Sequence, residues 1–79
     1  MDAKYVVVEI FGLETMIVFS PWIEHKAMMV LGPPVSAGFV GRNKDTKSGF
    51  YVYGQSASLA LSHRLIDQVL LNILFGEKE

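Results

Sequence analysis

Few side chains in this sequence have the types and spacing that chemistry requires. Ser62, His63 and Asp67 lie close together and supply, by type, a nucleophile, a base and a carboxylate. Adjacent residues such as Ser62 and His63 do not face each other on a helix, and a hydrolase serine sits on a strand-to-helix elbow of G-x-S-x-G form. The nearest string, Gly54-Gln55-Ser56-Ala57-Ser58, lacks the closing glycine. The set reads instead as a helix cap at Ser62 followed by a His63–Asp67 pair one turn apart. Metal ligation meets a similar obstacle. The two histidines, His25 and His63, fall on different elements, without H-x-x-x-H or H-E-x-x-H spacing. The lack of cysteine removes thiolate zinc sites and thiol nucleophiles. Gly38 and Gly41 flank Phe39-Val40 on a strand, where they relieve crowding or mark a bulge rather than cradle a phosphate. The chain reads as a non-enzyme with no metal and no cofactor.

One segment has the chemistry of a nucleic-acid contact. Arg42, Lys44 and Lys47, with Asp45 between them, precede Tyr51 and Tyr53. Basic groups beside strand aromatics are what single-stranded RNA binding uses. The run Lys47-Ser48-Gly49-Phe50-Tyr51-Val52-Tyr53 faintly resembles a strand of the RNA-recognition motif, with an extra serine. That family runs β-α-β-β-α-β, whereas this chain places a hairpin first and has only a Gly-Glu-Lys-Glu tail after its last helix. With a net charge of −1, a solvated hairpin loop is the simpler reading, and nucleic-acid binding is the alternative.

These residues are positioned by short, well-punctuated elements. Residues 4–11 alternate, with Val6, Val8 and Ile10 on one face and Tyr5, Val7, Glu9 and Phe11 on the other. Residues 15–19 form a second strand, paired to the first as a hairpin through Gly12. Ser20-Pro21 caps a helix over 22–31, and Gly32-Pro33-Pro34 ends it. Ile23, Ala27, Val30 and Leu31 share a face of that helix, with Glu24 and His25 away from it. Residues 35–40 and 50–53 form a second hairpin around the polar loop 41–49, and 56–61 a short edge strand. A last helix, 63–75, is capped by Ser62 and closed by Gly76. The order β-β-α-β-β-(β)-α predicts an α+β fold: an antiparallel sheet of four to five strands with two helices packed on one face. Residues 1–79 form a single domain, with 77–79 a frayed tail.

The apolar content bears on assembly. Of the 79 residues, 51% are hydrophobic and 19% charged, and a domain this small has a thin core. The longest charge-free stretches, 27–41 and 48–63, are shorter than a membrane span. The start, Met1-Asp2-Ala3-Lys4, lacks the bases of a signal peptide. Both features suggest a soluble protein of the cytoplasm. In the last helix, Leu65, Ile66, Val69, Leu70, Ile73 and Leu74 make a core stripe, while Leu71 and Phe75 lie among Arg64, Asp67, Gln68 and Asn72. Tyr5, Val7 and Phe11 likewise make the second face of the first strand apolar, where a two-layer monomer should be polar. Leu71, Phe75, Tyr5, Val7 and Phe11 are therefore the expected self-association residues, and a homodimer the default assembly.

The second half also resembles a group of known proteins. Val35-Ser36-Ala37-Gly38-Phe39-Val40, then Gly54-Gln55-Ser56-Ala57-Ser58-Leu59, then Ser62-His63-Arg64-Leu65-Ile66-Asp67, is similar to small bacteriophage and prophage proteins carrying SAGFV, G-x-S-x-S-L and S-R-x-x-D-type runs. Here a histidine is interposed in the third run. The resemblance implies an origin, not an active site. The expected function is that of a small interaction protein in a bacterial host cell or virion. It would act as a homo-oligomer, as a virion or assembly component or as an inhibitor of a host protein.

Overall fold

The computed structural model describes residues 2–76; the expected frayed tail, 77–79, lies outside them. Strand β1 (Ala3–Ile10) is central, because Tyr5, Val6, Val7 and Val8 are all buried. A strand covered on both faces carries a continuous apolar run rather than an alternating one. It pairs antiparallel with β2 (Leu13–Phe19) and β3 (Pro34–Arg42), and β3 pairs with β4 (Phe50–Tyr53), giving the order β2-β1-β3-β4. Both expected hairpins are present. The first turns on Phe11 and Gly12, at φ 51° and 77°. Positive φ at both central residues matches the twist of the flanking strands. A register shift between Val7 and Val8 marks a bulge opposite Pro34, which has no N–H to give to the ladder.

The segment expected as one edge strand over 56–61 is two. β5 (Gln55–Ser56) and β6 (Leu61–Ser62) form a small ladder of their own, joined by a turn in which Ala60 takes φ 55°. Residues 22–31 are not an α-helix. Ser20 caps a short turn, its hydroxyl accepting the Trp22 N–H, and a 3-10 helix follows over His25–Leu31. Three residues per turn put His25 and Met28 on one edge, and these face inward instead of the expected Ile23, Ala27, Val30 and Leu31. His25 is buried between the edges of Phe19 and Phe39, with its Nε2 2.8 Å from the Gly38 carbonyl. A Cβ at Gly38 would lie 2.5 Å from the Tyr53 carbonyl oxygen, so crowding requires glycine there.

The class is α+β, as expected, but the helices do not share a face. Helix α1 (Leu65–Phe75) covers the face of Tyr5, Val7, Met16 and Val40 through Leu71. The 3-10 helix and the β5–β6 turn cover the face of Val6, Val8 and Ala37 through Met28, Leu59 and Leu61. The chain thus buries both faces of its own sheet. Three expected self-association residues are corrected by this: Tyr5, Val7 and Leu71 are fully buried in the intramolecular core. Leu71→Ala should cost ~2–5 kcal/mol, as core truncations do. At protein concentrations low enough to hold the monomer, Leu65→Ala should stay within about 0.5 kcal/mol, Leu65 being 91% exposed. Urea unfolding of the two variants checks which side of α1 is the inside.

Candidate interaction surface

α1 starts two residues later than its sequence suggests. Ser62 belongs to β6, and the cap position is taken by Arg64 in extended conformation. Asp67, at the third helical position, turns back to accept the Arg64 backbone N–H at 3.0 Å. Its carboxylate is fully buried and accepts the Tyr5 hydroxyl at 2.6 Å. The Arg64 guanidinium donates to the same carboxylate at 2.8 and 3.0 Å and reaches Glu14 on β2 at 2.8 Å. Burial alone would raise the Asp67 pKa, but the hydrogen bonds from Tyr5 and from Arg64 outweigh it and hold the carboxyl below its usual range. The Tyr5 phenol is pushed well above its ordinary value, by burial first and then by its bond to Asp67.

One turn on, the Gln68 side-chain amide closes the outer edge of β4. Its Oε1 accepts the Val52 N–H at 3.0 Å and its Nε2 donates to the Phe50 carbonyl at 2.9 Å. Asn72 Oδ1 accepts from Gln68 Nε2 and from the Ser48 hydroxyl. The inward arc of α1 is therefore Asp67, Gln68, Leu71 and Asn72. The expected core stripe is largely reversed: Leu70 packs against the core, but Leu65, Ile66, Val69, Ile73 and Leu74 face out, with Ile73 68% exposed. The physical reason lies beneath the helix. A buried phenol, a bare strand edge and the Ser48 hydroxyl all need partners, and a leucine stripe laid over them would leave each unsatisfied. Asp67 is the one charged residue in α1, so its outer face carries no charge.

The other sequence candidates disperse. Phe75 packs on Phe50, ring centroids 4.7 Å apart, and keeps partial exposure. Phe11 is fully exposed at the hairpin tip. His63 and Asp67 do not pair; His63 Nδ1 lies 2.8 Å from the Gly54 carbonyl oxygen and Asp67 is turned to Tyr5. His25 is bound up in the core, and no group of three metal-ligating side chains occurs among the described residues. Arg42, Lys44 and Lys47 are exposed around the 43–49 loop. Tyr51 and Tyr53 stack on each other, and Tyr53 also on Phe39. The Tyr53 hydroxyl donates to Asp2, a bond that pushes its pKa up to about 12. A cleft of about 650 Å³ opens between Ala3, Val18 and Val40 and the rings of Phe50 and Phe75, with Asp2 and Arg42 at its rim. No helix is long and apolar enough to cross a membrane among the described residues.

The outward residues of α1 are the ones that sequence reasoning placed in the core. The signal that could have found them was present: Leu71 lies among Asp67, Gln68 and Asn72 because that arc is the inside. Comparison with family models, curated proteins and solved structures finds no match to this chain. Asp67→Asn should lower stability by about 1–3 kcal/mol at neutral pH, the cost of weakening a buried hydrogen-bonded charge. With its folded pKa depressed, the carboxylate stabilises above the unfolded pKa of ~3.9 and loses that effect as pH falls through the lower, folded value. Denaturation curves of wild type and variant should therefore converge in acid.

Proposed function

We propose that this protein is a non-enzymatic interaction protein that works through the outer face of α1 and associates with itself. The observation that carries the reading is the charge-free apolar surface of that helix. A solvated helix on a monomer presents polar and charged residues outward; this one presents Leu65, Ile66, Val69, Ile73 and Leu74 while sending its carboxylate and amides inward. The likeness of the second half to phage and prophage proteins supports a setting in which such a surface serves assembly of a virion or capture of a host protein. The inward commitment of Tyr5, Val7 and Leu71 removes them from the self-association surface; of the residues expected there, Phe75 at the end of α1 and Phe11 at the hairpin tip keep exposure.

Light scattering over a wide concentration range, at two salt levels, tests this. The wild type should be larger than a monomer. Its association should change little with salt, because an uncharged face has nothing for ions to screen. Binding of nucleic acid through Arg42, Lys44 and Lys47 would instead weaken steeply as salt rises. The double variant Ile66→Lys/Ile73→Lys should be monomeric with an unchanged far-ultraviolet circular dichroism spectrum. A wild type that stays monomeric throughout would overturn the self-association reading.

A further inference from the structure

We infer that two copies of the chain pair α1 against α1, antiparallel, about a twofold axis passing between Val69 and Leu70; this rests on the interaction reading above and names its partner. The outer face is the right size. At the observed exposures its five apolar residues present on the order of 600 Å², the upper end of what the largest apolar patch of a monomer reaches, so two copies face to face would bury on the order of 1,200 Å², the lower end of the range of specific interfaces.

The order of residues along the helix is symmetric about the proposed axis. Ile66 and Ile73 stand at equal distances on either side of it, Val69 stands beside it, and Leu65 and Leu74 lie just beyond, while Leu70 packs against the protomer's own core. The exposed seam 66, 69, 73 has the i, i+3, i+7 spacing with which helices interlock. An antiparallel overlay sets Ile66 of one protomer on Ile73 of its partner, twice, with the smaller Val69 beside the axis where the helices approach most closely. Charge favours the same direction. The last turn of α1 has no basic residue to offset its carbonyl end, and the antiparallel arrangement brings the N-terminal, positive end of the partner's helix dipole toward that end. A parallel pair would set like ends of the helix dipoles together. The assembly is then four layers, sheet-helix-helix-sheet, with the His25 faces outermost.

Cysteine cross-linking tests both the surface and the direction, since the native chain has no cysteine to interfere. Ile66, Val69 and Ile73 are exposed in the monomer, so the variants keep the fold. Under mild oxidation Val69→Cys should form a disulfide-linked dimer in high yield. Ile66→Cys mixed with Ile73→Cys should link, while each alone should not. Across the axis two copies of residue 66 stand about 10 Å apart at 1.5 Å rise per residue, beyond the ~7 Å Cα separation that a disulfide spans. Efficient linking of Ile66→Cys to itself would overturn the antiparallel arrangement in favour of a parallel one. A dimeric wild type whose Val69→Cys variant does not link would overturn α1 pairing while leaving self-association intact. A monomeric wild type would overturn the interaction reading itself.

Discussion

The rotation of α1 about its own axis depends on one buried carboxylate. Asp67 sits beneath the helix with no exposed surface, and three donors converge on it: the Tyr5 hydroxyl, the Arg64 backbone N–H and the Arg64 guanidinium. Each comes from a different requirement of the fold. Tyr5 is a core residue of the central strand whose hydroxyl must find an acceptor, the Arg64 N–H is an orphan of the helix start, and the guanidinium ties the helix to β2 through Glu14. Gln68 and Asn72 follow on the same arc and close the β4 edge. Once that arc faces inward, the leucine and isoleucine side faces out by geometry.

That arrangement has a consequence for energetics. Turning the helix over would bury on the order of 600 Å² of apolar surface, a gain of ~12–20 kcal/mol at the usual transfer coefficients. It would also strand Tyr5, a carboxylate and a strand edge. A buried polar network of this kind specifies one orientation more than it stabilises the chain. The combination makes physical sense when the outer face is itself buried by association, because then neither term is lost. Both sheet faces are already covered from within, so an interface on α1 adds apolar burial that the protomer's own core does not supply.

The strands of the main sheet were legible in the sequence. Residues 4–19 read as a hairpin because their β-branched run and Gly12 carry local signals, and the 41–49 loop announced itself by polarity. Helical residues were less legible, for two reasons. Periodicity locates an apolar stripe but is blind to what covers it, so Leu65, Ile66, Val69 and Ile73 read as core when the sheet beneath required polar partners instead. Residues 22–31 were read at 3.6 residues per turn, and the tighter 3-10 period moves His25 and Met28 to the inside. Tyr5 and Val7 looked outward because nothing local says that the first strand in the chain is central in the sheet. Of the candidate surface, the sequence showed that an apolar excess exists; which residues carry it is set by tertiary contacts.

Nuclear Overhauser contacts to the ring of Tyr5 in the Ile66→Lys/Ile73→Lys background measure the orientation of α1 most directly. The Leu71 methyls lie in the same buried cluster as that ring. Strong contacts are therefore expected from Tyr5 to Leu71 and none to the methyls of Leu65 or Val69. Contacts from Tyr5 to Val69 with none to Leu71 would mean that the apolar stripe faces the sheet, and would contradict that orientation.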